Sequence, residues 1–140
     1  MKSRKSTLFL MEQVIVIAVF AICAAICVSI LTSSYLMTRN ALDTRNALMI
    51  AESAAESHKA FGGDITRIAD ILGGTADLDS NTFTIYYDTN WQPVNAEDAS
   101  FVLNFTMRDD TLVIFSDVSV STNAGSELVS LTAAVRRSGL

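Results

Sequence analysis
From Leu8 to Leu31 the chain runs for twenty-four residues with a single charged side chain and no glycine or proline. A stretch of that kind needs lipid, or other helices like itself, on every side. As a helix rising 1.5 Å per residue it would reach about 36 Å, enough to cross a hydrocarbon core of about 30 Å with some tilt. Lys2, Arg4 and Lys5 precede it. By the positive-inside rule these charges hold the N-terminus in the cytoplasm and send the remainder of the chain outward. A cleaved secretory signal has an apolar core of about 7–15 residues and ends at a small-x-small site. Here the run is longer and passes without a turn into a helical pattern, so it reads as a retained span.

The one charge within the run is Glu12. A carboxylate at the centre of a membrane helix costs about 2.5 kcal/mol or more on insertion scales, and such a residue usually has a partner or a task. Glu12 also lies only about 10 Å along the helix from Lys5, close enough to snorkel toward cytoplasmic headgroups.

Beyond the span there is room for one small domain. From Thr38 onward the chain carries seven basic and fourteen acidic residues, a formal charge of −7. That balance argues against nucleic acid or anionic lipid as a ligand of the outer part, since both need a basic surface. Cys23 and Cys27 both fall inside the span, which leaves the exported part without a disulfide. They read as small packing residues on one helix face.

Helical patterning continues past the span. Met37, Ala41, Thr44, Leu48, Ala51 and Ala55 recur at spacings of three and four and predict an apolar stripe. Arg39 with Asp43, and Glu56 with Lys59, are placed to pair on the exposed side. Gly62-Gly63 predicts the end of this helix near Phe61. Asp64 reads as the N-cap of a second, short helix, Ile65 to Leu72, closed by Gly73-Gly74.

After Asn81 the period falls to two. Phe83, Ile85 and Tyr87 alternate with polar neighbours, as do Phe101, Leu103, Phe105 and Met107. Leu112, Ile114, Val118 and Val120 share one face of a third strand, and Val129, Leu131, Ala133 and Val135 one face of a fourth. Asp109-Asp110 and Asn123-Ala124-Gly125-Ser126 supply the turns. The segment from Thr89 to Ala99, with Trp91 and Pro93, reads as irregular. The expectation is an α+β fold: a long N-terminal helix, transmembrane in its first half and amphipathic in its second, packed on a four-stranded antiparallel sheet. Its divisions are 1–7, a basic leader; 8–36, the membrane half of the helix; and 37–140, an extracytoplasmic globular domain.

In architecture the whole chain resembles the type IV pilin superfamily, including the pseudopilins of type II secretion and minor pilins. The sequence likeness is concentrated in Leu8-Phe9-Leu10-Met11-Glu12-Gln13-Val14-Ile15-Val16-Ile17-Ala18, where a short basic leader is followed by a hydrophobic residue and a glutamate stands fifth. The resemblance implies that a prepilin peptidase cuts between Thr7 and Leu8. It implies that Glu12 neutralises the new amine of a neighbouring subunit during filament assembly. It further implies a bacterial cytoplasmic-membrane location, other pilin-like subunits and an inner-membrane assembly platform as partners, and lipid around the span. Thr7 stands where family leaders normally end in glycine, and Ser29 where many members have proline.

Enzymatic chemistry finds no footing in the residues. There is no glycine-rich phosphate loop, no His-x-x-x-His or Cys-x-x-Cys pair, and no cofactor motif. The single histidine, His58, reads as a solvated or domain-facing side chain. Asp77, Asp79 and Asn81 have the alternating oxygens that open a calcium loop, with Asp88 at its twelfth position. Thr82 replaces the glycine such a loop needs, so a polar turn is expected and no metal site is assigned. The function expected is a structural subunit of a pilus-like or secretion-like filament. The alternative is an unprocessed single-pass anchor carrying an extracellular binding domain.

Overall fold
A computed structural model describes residues 2–137. The fold is α+β, with helix α1 at Lys2–Ala60, α2 at Ile65–Leu72, and strands β1 at Thr75–Asp77, β2 at Thr82–Tyr87, β3 at Pro93–Val94, β4 at Phe101–Asp109, β5 at Val113–Thr122 and β6 at Glu127–Arg136. The chain divides into two compact units, one ending at Ala41 and the other beginning at Leu42.

The first unit is helix alone. Nothing from Lys2 to Phe61 is glycine or proline, so no backbone hydrogen bond of α1 is lost to composition. Polar side chains within it bond to their own helix: Thr32 Oγ1 donates to the Val28 carbonyl and Thr38 Oγ1 to that of Ser34, each at 2.9 Å. Back-bonding of this kind removes a donor that lipid could not satisfy.

In the second unit, the Leu42–Ala60 part of α1 turns Ala47, Ala51, Ala54 and His58 inward, all fully buried. The apolar stripe expected from Met37 through Ala55 is therefore rotated by roughly 70° at 3.6 residues per turn. Leu48 stands on the exposed side, and Asp43 and Asn46 are half-buried. Ala47, Ala51 and Ala54 join one core with the inward side chains of the sheet. Asp43 does not pair with Arg39 as expected; it accepts from Trp91, and Arg39 Nη1 donates to the Tyr35 hydroxyl at 3.5 Å. The Glu56 and Lys59 pair forms at 3.0 Å.

Helix α1 stops where Gly62 and Gly63 take positive φ values of 59° and 87°. The Gly63 amide donates to the His58 carbonyl at 3.3 Å, and a Cβ on Gly63 would sit 2.9 Å from Ile114 Cδ1. Only glycine meets both demands. Asp64 then caps α2 by accepting from the Arg67 amide, and Gly73 closes it in the left-handed conformation.

All strand pairs are antiparallel, in the order β1-β2-β4-β5-β6, with β3 also on the outer side of β2. The sheet thus has six strands, not the expected four. The two extra strands contain three and two residues, too short to show a period, and exist because the free edge of β2 offers them partners. The β4–β5 turn also lies later than expected: Asp109 ends β4, and Asp110 donates its amide to the Val113 carbonyl at 3.0 Å. Leu112 falls in that turn, outside β5, and is exposed. The alternation in β2 and β4 puts Phe83, Ile85, Tyr87, Phe101, Leu103 and Phe105 on the helix-facing side. Phe83 and Phe105 are register partners, and their rings stack with centroids 4.5 Å apart. Ile65, Ile68 and Ala69 of α2 join the same core.

Candidate membrane and assembly surface
The large apolar side chains from Leu8 to Leu31 are 54–76% exposed, on every side of α1. Helix α1 is long and apolar enough to cross a membrane. Tyr35 and Arg39 follow the apolar run, an amphipathic ring and a cation of the kind that suits a headgroup layer. A shallow depression on the helix is lined by Ala24, Ala25, Val28, Ser29, Thr32 and Ser33. Cys23 and Cys27 are free and exposed.

Thr7, Leu8 and Glu12 all lie within α1, so the Thr7–Leu8 peptide bond is helical. One turn before and after Glu12 stand Leu8, Phe9, Ile15 and Val16, all apolar and exposed. Among the described residues Glu12 has no ion-pair partner. Leu8 and Glu12 are four residues apart and occupy one helix face, so an amine generated at Leu8 would lie one turn from the carboxylate.

The acidic residues considered for calcium are not brought together. Asp77 accepts from the Asp79 amide at 3.1 Å and from the Ser80 hydroxyl at 2.8 Å. The Ser80 hydroxyl first, then the backbone N–H of Asp79, hold the Asp77 carboxyl below its ordinary range. Asn81, at a φ of 52°, turns the chain into β2, and its carbonyl accepts from the Met107 amide. Asp88 follows the other end of β2, where it accepts from the Asn90 and Gln92 amides at 2.8 and 2.9 Å. Each carboxylate thus ties its own turn. Among the described residues no group of three or more His, Cys, Asp or Glu is placed to hold a metal ion.

His58 faces the domain and is fully buried beside Phe105. Its Nε2 lies 3.2 Å from the Ile114 carbonyl oxygen, which can only accept, so Nε2 carries the proton. Among the described residues Nδ1 has no hydrogen-bond partner, and neither has the buried Ser116 Oγ on β5.

Sequence reasoning missed the role of Asp43 as the acceptor for Trp91. The available signal was that the only tryptophan in the chain would need an acceptor for its N–H wherever its ring packed. The chain matches no family model, no curated protein and no solved structure.

Proposed function
We propose that this protein is a non-enzymatic structural subunit of a type IV pilus-like or type II secretion-like filament, anchored in the bacterial cytoplasmic membrane and polymerised through α1. The observation that carries the reading is Glu12, a carboxylate without an ion-pair partner among the described residues, one helical turn beyond Leu8 on a helix whose apolar side chains are exposed all round. Removal of the leader by a prepilin peptidase creates an amine at Leu8. In an apolar bundle, that amine of one subunit and Glu12 of the next neutralise each other. The pairing sets the axial offset between neighbours, and the globular part lies on the outer side of the membrane. Other pilin-like subunits, the peptidase and an inner-membrane assembly platform are the partners.

A second reading is an unprocessed single-pass anchor with an extracellular binding domain. It is favoured by the branched side chain of Thr7 before a peptide bond held in helix. Intact-mass analysis of the protein taken from its native membrane, with its own peptidase present, separates the two. A chain beginning at Leu8 supports the filament subunit. A chain beginning at Met1 sinks it and leaves the anchor.

A further inference from the structure
Leu31, Tyr35 and Arg39 recur every four residues and form one column on α1 at the end of the apolar run, first apolar, then amphipathic, then cationic. Leu31 and Tyr35 are 69% and 64% exposed, and Arg39 is exposed as well. Cys27, also exposed, continues the column back into the span. Thr32, Ser33 and Ser34 are the first consecutive polar side chains beyond Gln13, and they mark where hydrocarbon gives way to headgroups.

The Arg39 side chain leans back along the helix, as helical side chains do, and its Nη1 reaches the Tyr35 hydroxyl at 3.5 Å. That contact fixes a depth. The Arg39 Cα stands about 12 Å beyond Leu31 along the axis, whereas a guanidinium at the level of Tyr35 stands about 6 Å beyond it. A bilayer of about 40–45 Å around a hydrocarbon core of about 30 Å leaves about 5–7 Å on each side for headgroups. The guanidinium lies within that layer, where a phospholipid carries its phosphate.

The chain supplies no anion at this point. Asp43 is the only carboxylate within one turn of Arg39, and it accepts the Trp91 indole N–H at 3.3 Å. Among the described residues Arg39 has no ion pair. The Tyr35 hydroxyl accepts from Arg39 and keeps its own O–H to donate. Two donors, one of them a planar cationic fork, thus converge at one depth and want an acceptor of opposite charge.

We infer that Tyr35 and Arg39 bind the phosphodiester of a phospholipid in the leaflet on the Leu31 side of the span. The guanidinium N–H groups turned away from Tyr35 take the phosphate oxygens, the Tyr35 hydroxyl donates to the same group, and an acyl chain of that lipid lies along Leu31 and Cys27. The site rests on α1 crossing a membrane, which the filament subunit and the single-pass anchor have in common. Its failure would leave both readings standing, since the mass of the mature chain tests them separately.

The test places the full chain in nanodiscs of equal parts phosphatidylglycerol and a phosphate-free galactolipid with the same acyl chains, and counts retained lipids by native mass spectrometry. Phosphatidylglycerol should be retained in preference to galactolipid. Arg39→Gln should lower that preference about fivefold, as for one cation near an anionic lipid surface. Tyr35→Phe should lower it about twofold, and Arg39→Lys should keep part of it, since the charge stays and the fork is lost. Lys2, Arg4 and Lys5 are common to all these proteins and cancel from the comparison. Trp91 fluorescence confirms that the domain is folded in each variant. Equal retention of the two lipids, or a preference unchanged by Arg39→Gln, would overturn the proposal. So would loss of the bound phospholipid in excess inorganic phosphate, which assigns the site to a free anion.

Discussion

Trp91 donates its indole N–H to Asp43 Oδ1 at 3.3 Å, and through that bond the loop after β2 is tied to α1. The ring stacks on Phe101 with centroids 4.1 Å apart, and the backbone accepts a φ of 62° to hold it there. Asp88 supports the arrangement from below by accepting two amides of the same loop. Left-handed backbone at a tryptophan is costly. It persists because the stacked ring, the Asp43 acceptor and the Asp88 turn all specify the same position.

Asp43→Ala should lower unfolding stability by about 1 kcal/mol, the net worth of a half-buried hydrogen bond. Asp43→Asn, which keeps an acceptor oxygen, should cost less. Trp91 is the only tryptophan, so its fluorescence during urea unfolding reports the loop directly. Equal loss in both variants would show that charge, and not the acceptor, holds the ring.

Ser116→Ala tests an opposite case. The hydroxyl is fully buried and has no hydrogen-bond partner among the described residues, so its removal should be neutral or stabilising by up to about 1 kcal/mol. Thermal unfolding of the two proteins decides it. A loss of more than about 1 kcal/mol would mean that the hydroxyl is satisfied in solution.

Gly63→Ala should destabilise by about 2–3 kcal/mol, because the residue is left-handed and a Cβ would meet Ile114 Cδ1 at 2.9 Å. Ile114→Val removes that atom. In the double variant about 1 kcal/mol should return, with the remainder reflecting backbone conformation and the Ile114 Cγ2 contact at 3.3 Å. Strict additivity of the two changes would rule out the steric explanation.

Asp77 makes the turn before β2 sensitive to acid. Its carboxyl is held below the ordinary value of 3.8, chiefly by the Ser80 hydroxyl and then by the Asp79 amide. The contribution is present in full above that ordinary value and is lost as pH falls through the lower value of the folded chain. Amide chemical shifts of Asp79 and Ser80 should therefore titrate with a midpoint below 3.8, and Asp77→Ala should abolish the transition. A midpoint above 3.8 would contradict the hydrogen-bond assignment.

Glu12→Ala addresses the proposed filament. Deleting one member of a buried charge pair commonly costs about 3–5 kcal/mol, so cross-linked oligomers recovered from membranes should fall by about two to four orders of magnitude. The chain itself should still insert, since the change makes the span more apolar. Unchanged oligomer yield would remove Glu12 from the assembly contact.

Much of this architecture is legible in local chemistry. Asp64 and Gly73 bracket α2 because capping needs only a side-chain oxygen at one end and a left-handed residue at the other. The four long strands occur where alternation places them, because a sheet with one buried face demands a period of two. The apolar exposure from Leu8 to Leu31 follows from composition alone.

Other features arose only when distant segments met. Three alanines and His58 became the buried face of α1, in place of the stripe suggested by Met37 and Leu48, because burial is set by the sheet residues they meet in the core. β1 and β3 formed because β2 had an edge to satisfy. Asp43 left its neighbour Arg39 for an indole 48 positions away. Order along the chain determined where helix, strand, turn and span begin and end, since those depend on near neighbours. Tertiary packing decided which faces meet and which polar atoms are satisfied, since burial and partner distance are set by residues far apart in sequence.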